Sequence, residues 1–231
     1  AAIDAHAKLN LKPLGKRVLS HDPSDLGNDD KGLCFRHGSV VLDIQSNPHG
    51  DVNEGCDWAT DYAISKNADV FVWDGDGLGI GLRRQVAESL KGKRIEQEIF
   101  RGSAGVDRPD AVYEEIDNNS ANPKTNKETF KNKRSQYYWA LRDRFYNTYR
   151  AVVKGEYVDP DTMISLSSDI EQIDLLRSEV CRIPLKPNGN GMIQIMSKED
   201  MKRLDIESPN MADSLMMSLA ISDKITQDQA L

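Results

Sequence analysis

Apolar and polar positions alternate through "KRVLSHDPSD" (Lys16 to Asp25), a period of two that predicts a strand running into acid and proline. "KGLCFRHGSVVLDIQ" (Lys31 to Gln45) predicts two further strands with a turn at His37-Gly38, so the three form an antiparallel meander. From Asn53 to Ala68 the spacing changes. Cys56 or Trp58, Ala59, Tyr62, Ala63 and Ile64 gather near one helical face. "DVFVWD" (Asp69 to Asp74) is continuously apolar between charges, as a strand covered on both sides is. "GIGLRRQVAESLKGK" predicts a helix, and "RIEQEIF" a fifth strand.

The periodicity disappears between Arg101 and Phe130, a stretch rich in Asn, Asp, Lys and Ser that holds Pro109 and Pro123. A loop this long inside a compact domain is usually functional or disordered. Asn132 to Val153 predicts a long helix with Tyr138, Leu141, Phe145 and Tyr149 on one face. "SDIEQIDLLRSEV" predicts another helix, and "CRIPLKPNGNGMIQIMS" a hairpin with an Asn-Gly-Asn-Gly tip. "SKEDMKRLD" follows as a short helix behind a serine cap. The last helix begins at "SPNMADSLMMSLAISDK", where Ser208 can cap it and Pro209 suits the first turn. Helical connections make the fourth and fifth strands parallel to the first. The expected fold is α/β, a mixed five-stranded sheet flanked by helices with an added hairpin. No repeat or second domain is evident, and residues 1–15 read as a linker.

Composition adds limits. The 231 residues are 39% hydrophobic and 29% charged, enough for one core with long solvated loops. A net charge of −7 argues against unspecific attraction to nucleic acid over the whole surface, but leaves room for a local basic track. No apolar run approaches the roughly 20 residues of a membrane helix. Cys34, Cys56 and Cys181 lack any C-x-x-C spacing, which fits a reducing compartment without structural zinc. The four histidines, at positions 6, 21, 37 and 49, have no metal-binding spacing.

"DVFVWDGDGLGIGL" could cradle a phosphate or deliver a carboxylate. No Walker string G-x-x-x-x-G-K-[ST] occurs in the chain. The dinucleotide fingerprint G-x-G-x-x-G fails by one residue, because Gly75, Gly77, Gly79 and Gly81 alternate. The carboxylates read differently. Asp22 ends the first predicted strand and Asp74 the fourth, and ligands of open α/β sheets collect outside such ends. Two neighbouring anions are tolerable mainly where a divalent cation neutralises them. An all-oxygen site suits Mg²⁺ or Mn²⁺ better than zinc. Asp213 lies at the edge of the apolar stripe Ala212, Leu215, Met216, Leu219 and Ala220 of the last helix, near its start. It is placed either to complete the site or to interact with the helix dipole. "DPSD" and "DGDG" are also ordinary turn strings.

Four stretches carry a resemblance: "VLSHDPSD", "VFVWDGDGLGIG", "NKRSQYYWALRDRF" and, most specific, "SPNMADSLMMSLA". From about Lys16 onward the chain resembles the C-terminal nuclease domain of the large terminase subunit of tailed, headful-packaging bacteriophages. That domain has a ribonuclease H-like fold shared with integrases and Holliday-junction resolvases. The resemblance implies metal-binding, catalytic acids at Asp22, Asp74 and Asp213. It implies two-metal-ion hydrolysis of double-stranded viral DNA with Mg²⁺ or Mn²⁺, the ions roughly 3.5–4 Å apart. Many relatives carry an acid or histidine where this chain has Asn210, which leaves Asn210 a second-shell role. Asp76 is open between spare ligand and turn residue.

The resemblance further implies residues 16–231 as the nuclease domain, a tail at 1–15 from an upstream ATPase motor domain, and portal and small terminase subunit as partners. It also implies a host-cytoplasmic location without membrane attachment. DNA contact requires cations. Lys124, Lys127, Lys131, Lys133 and Arg134 form one group; Arg83, Arg84, Lys91, Lys93 and Arg94 form another. The alternative for each group is a solvated helix face. The rival functions are a non-catalytic docking module of the packaging motor and a ribonuclease H-like nuclease of another class, such as a resolvase.

Overall fold

The computed structural model describes residues 1–27, 29–113 and 123–222. Residues 114–122 of the expected long loop and positions 223–224 of the expected last helix lie outside them. Strands β1 (Arg17–Asp22), β2 (Lys31–His37) and β3 (Val40–Asn47) form the predicted meander. β4 (Val70–Asp74) pairs parallel with β1, and β5 (Glu96–Phe100) parallel with β4. A two-residue strand β6 (Ser165–Leu166) adds a sixth member beside β3, giving the order β5-β4-β1-β2-β3-β6. Two residues are too few to show a period, so this strand was invisible in the sequence.

Alternation along the strands sends side chains to two cores. Leu19, Leu33, Phe71 and Trp73 face helices α2 (Val52–Ser65) and α3 (Arg83–Ser89), numbered after the short helix α1 (Ala5–Leu9). Val18, Cys34, Val70 and Val72 face the opposite layer. That layer contains the long helix α5 (Lys133–Val153), which follows the single turn α4 (Asn126–Thr129), together with α6 (Ile173–Cys181), α7 (Lys198–Arg203) and α8 (Asn210–Ser218). Tyr138 and Leu141 of the expected α5 stripe are buried, whereas Tyr149 is exposed. Among the described residues no helix is long and apolar enough to cross a membrane.

α8 is buried along its whole length, wider than the stripe read from the sequence. It lies so close to β2 that a Cβ on Gly32 would run into the Asn210 carbonyl. Its far end is held by the fully buried Arg36, whose Nη2 donates to the carbonyls of Ser218 (2.8 Å) and Ile221 (3.3 Å). The Ser218 carbonyl, at the last residue of α8, otherwise accepts the Ile221 amide at a long 3.4 Å, so a buried guanidinium is a fitting cap.

Part of the segment read as a linker, residues 1–15, lies against the sheet edge. Ile3 bridges to Leu166, and the amide of Asp4 donates to the Leu166 carbonyl at 2.8 Å. Ala2 and Ala5 are buried. The segment covers the free edge of β6, whose backbone groups need partners. The expected hairpin forms an antiparallel arm in which Leu185 bridges to Ile195, and Lys186 donates to the Gln194 carbonyl at 2.8 Å.

Candidate active site

The parallel register of β1 and β4 sets His21 beside Trp73, so the next residues, Asp22 and Asp74, end their strands side by side. Residues two apart share a face, so Asp22 follows Ser20 toward α8. There the Ser20 hydroxyl donates to the Ser214 carbonyl at 2.6 Å. Asp213, one residue earlier on α8, comes down over the same end of the sheet. The three acids predicted from separate stretches of sequence are therefore brought into one electrostatic cluster, each perturbing another.

One residue that the sequence reading did not single out sits among them. Lys198, the first residue of α7, places its ammonium 2.7 Å from Asp22 Oδ2 and 3.2 Å from Asp213 Oδ2. The stem leaves the side chain 40% exposed, but its charged end lies against two buried carboxylates. Burial works against that charge, and the two aspartates outweigh it, holding the lysine pKa above its ordinary value. Nothing in "SKEDMKRLD" marks this lysine, because its partners are far away in sequence.

Each carboxylate has its own surroundings. Asp22 is 1% exposed, and its Oδ1 is buried without a hydrogen-bond partner among the described residues. Burial chiefly, and repulsion from Asp213 and Asp74, push its pKa up to about 7 against the pull of Lys198. Asp74 is raised to about 6, again mainly by burial. Its Oδ1 accepts the Asp76 amide at 2.9 Å. Burial also acts on Asp213, but Arg134, Lys198 and Tyr138 hold it below the usual carboxylate range. Asp213 Oδ1 accepts the Tyr138 hydroxyl at 2.6 Å and Arg134 Nη2 at 3.0 Å.

The other expected residues divide. Asp76 uses both oxygens on Ser103, 2.8 Å to the amide and 2.9 Å to the hydroxyl, and thus anchors a turn. Asn210 accepts the Ser208 hydroxyl at 2.8 Å. Arg134, grouped by sequence with phosphate-binding cations, is turned inward onto Asp213. Tyr138, read as core, lends Asp213 its hydroxyl as well. Lys133 pairs with Asp107 at 3.0 Å, Lys127 with Asp110 at 2.6 Å and Arg84 with Glu88 at 2.8 Å. Lys131 and Arg83 are exposed, and among the described residues neither has an ion pair. The glycines after Asp74 serve a turn: a Cβ on Gly79 would run into the Asp74 carbonyl, and Trp73 Nε1 donates to the Gly79 carbonyl at 2.9 Å.

As arranged, no three acidic, histidine or cysteine side chains among the described residues close around a common metal position. Lys198 occupies the space between two of the acids. The donor set still fits hard divalent cations: all ligand atoms are oxygens, one buried oxygen lacks a partner, and a cation already stands between the anions. A cleft of about 260 Å³ opens beside them, lined by Asp74, Phe100, Arg134, Gln194, Lys198 and Asp213.

The mixed six-stranded sheet flanked by helices, with Asp22 and Asp74 ending adjacent parallel strands, matches a nuclease domain of the ribonuclease H-like type. Comparison with solved structures narrows that class. The nuclease domain of the large terminase subunit gp2 of bacterial virus Sf6 matches with a TM-score of 0.89 and 48% identity over 94% of each chain. A lysine-to-alanine variant of that domain, with manganese and β-thujaplicinol, matches with a TM-score of 0.89 and 47% identity over the same shares. A further variant structure, with calcium, gives 0.88 and 47% over 94% of each chain. The chain matches no family model and no curated protein sequence. It belongs to the family of terminase large-subunit nuclease domains of bacterial viruses.

Proposed function

We propose that this domain is a metal-dependent endonuclease that cuts double-stranded viral DNA during genome packaging. Asp22, Asp74 and Asp213 would hold two divalent cations, Mg²⁺ or Mn²⁺. When bound, such ions supply Lewis acidity and an activated water for phosphodiester hydrolysis. The observation that carries the reading is the Lys198 ammonium lodged between Asp22 and Asp213. Carboxylates this buried are retained at a cost, and a cation relieves it. The chain's own residues divide the remaining work. Tyr138 and Arg134 orient Asp213, while the exposed Lys131 and Arg83 are placed to touch phosphates independently of sequence. The manganese and calcium relatives support the metal reading. The family supports an upstream ATPase motor domain, portal and small-subunit partners, and action in the host cytoplasm.

Plasmid linearisation tests this. With Mn²⁺ or Mg²⁺ the domain is expected to linearise supercoiled DNA, and a chelator is expected to stop it. Absence of cutting at every metal concentration, with DNA still bound, would favour a docking module. Preference for branched DNA would favour a resolvase.

The raised pKa values of Asp22 and Asp74 add a pH dependence. At limiting Mn²⁺, cutting should rise between pH 6 and pH 8 as those carboxyls lose their protons. Without metal, stability should move the other way. A folded-state value raised to about 7 means that the folded domain holds a proton the unfolded chain has released, so stability falls as pH rises through 7. Buried His21, lowered to about 4 mainly by burial, acts in the opposite sense only below its unfolded value of about 6.5. Thermal unfolding should therefore show a larger Mn²⁺ stabilisation at pH 8 than at pH 6.5. An equal shift at both would contradict the titration of these carboxyls.

A further inference from the structure

α8 begins at Asn210 behind Pro209 and receives no side-chain cap from its own N-cap residue. Its opening amides still need acceptors. They find one on another helix. Glu179 of α6, 7% exposed, accepts the Ala212 amide at 2.8 Å through Oε2. The arrangement is costly. Burial, with the nearby charge of Asp213, lifts the Glu179 pKa to about 7.

A residue in the first helical turn is itself a candidate for those amides. An acid in this position commonly interacts with the helix N-terminus, and that was one reading of Asp213 from sequence. In the structure Glu179 takes the Ala212 amide. The side chain of Asp213 is instead turned to Tyr138, Arg134 and Lys198, facing Asp22. A cap borrowed from α6 also ties the start of α8 to a neighbouring helix, which a local serine would not do.

We propose that Glu179 is a positioning residue for the metal site: by capping α8 from outside, it keeps Asp213 off its own helix terminus and aimed at Asp22. The inference rests on the reading of Asp213 as a metal ligand. It differs from a plain stabilising role, which would alter unfolding and leave metal affinity unchanged.

Mn²⁺ titration of the whole domain by calorimetry tests it, in the wild type and in Glu179→Ala, Glu179→Gln, Glu179→Asp, Asp213→Asn and the double variant Glu179→Ala/Asp213→Asn. Glu179→Ala should bind Mn²⁺ about tenfold or more weakly, the range seen when a residue supporting a metal ligand is lost. Glu179→Gln, which keeps an acceptor oxygen, should stay within about threefold of wild type, because a single neutral acceptor can still hold the cap. In the Asp213→Asn background the alanine change should cost little more, since its effect passes through Asp213. Wild-type affinity in folded Glu179→Ala would overturn the proposal, as would full additivity in the double variant. If Glu179→Ala fails to fold, Glu179→Asp decides: its carboxylate, one methylene shorter, falls short of the Ala212 amide, so a loss of affinity of about tenfold or more supports the cap and wild-type affinity overturns it. Wild-type affinity in Asp213→Asn would instead overturn the site reading on which the proposal rests.

Discussion

Asp22→Asn should abolish metal-dependent linearisation, by roughly a thousandfold, without lowering the unfolding midpoint of the metal-free domain. The magnitude follows from the several kcal/mol of charge stabilisation that a metal site supplies, at about tenfold in rate for each 1.4 kcal/mol. The stability half of the prediction follows from the surroundings of the side chain. Asp22 is buried, one of its oxygens has no partner among the described residues, and Asp213 and Asp74 both repel it. An amide of the same shape removes that repulsion, while Lys198 retains Asp213. Activity and stability should therefore separate, as they do where a site is kept under strain for function. Plasmid cleavage and thermal unfolding, measured on one preparation, check both halves. Loss of both together would make Asp22 a structural residue.

Lys198→Ala should tighten Mn²⁺ binding by about tenfold or more and destabilise the metal-free domain. The ammonium and a divalent cation compete for the same oxygens of Asp22 and Asp213. Removing the lysine leaves buried carboxylates facing one another. Breaking a fully buried pair costs about 3–5 kcal/mol. Here the exposed stem and solvent screening bring the expectation down to about 1–3 kcal/mol. Added Mn²⁺ should recover the loss, since a ligand that binds only the folded state stabilises it. Calorimetric titration and unfolding with and without Mn²⁺ test this. Unchanged affinity and unchanged metal-free stability would make the lysine a bystander.

Much of the architecture was legible because its elements carry strong periods. β1 to β5 alternate or run apolar, and α5 shows its buried face through Tyr138 and Leu141. Asp22 and Asp74 could be placed because a strand end is a topological position, and α/β sheets gather their ligands there. The residues missed share a physical reason: their roles depend on partners far along the chain. Lys198 reaches Asp22 across 176 positions, and Tyr138 reaches Asp213 across 75. No local pattern encodes such pairs. β6 and the docked segment before Lys16 escaped for another reason, since they are held by backbone pairing and small side chains instead of an apolar stripe. Arg134 illustrates the same limit from the other side: its neighbours group it with a basic track, and the fold brings it, largely buried, onto Asp213.

In the proposed metal centre of Asp22, Asp74 and Asp213, the Lys198 ammonium stands in the metal's place. Anomalous scattering from Mn²⁺-soaked crystals measures this directly. Manganese is expected among the three carboxylates, with the Lys198 ammonium withdrawn from between Asp22 and Asp213. Manganese bound elsewhere, with that lysine still bridging the two aspartates at concentrations that support cutting, would contradict it.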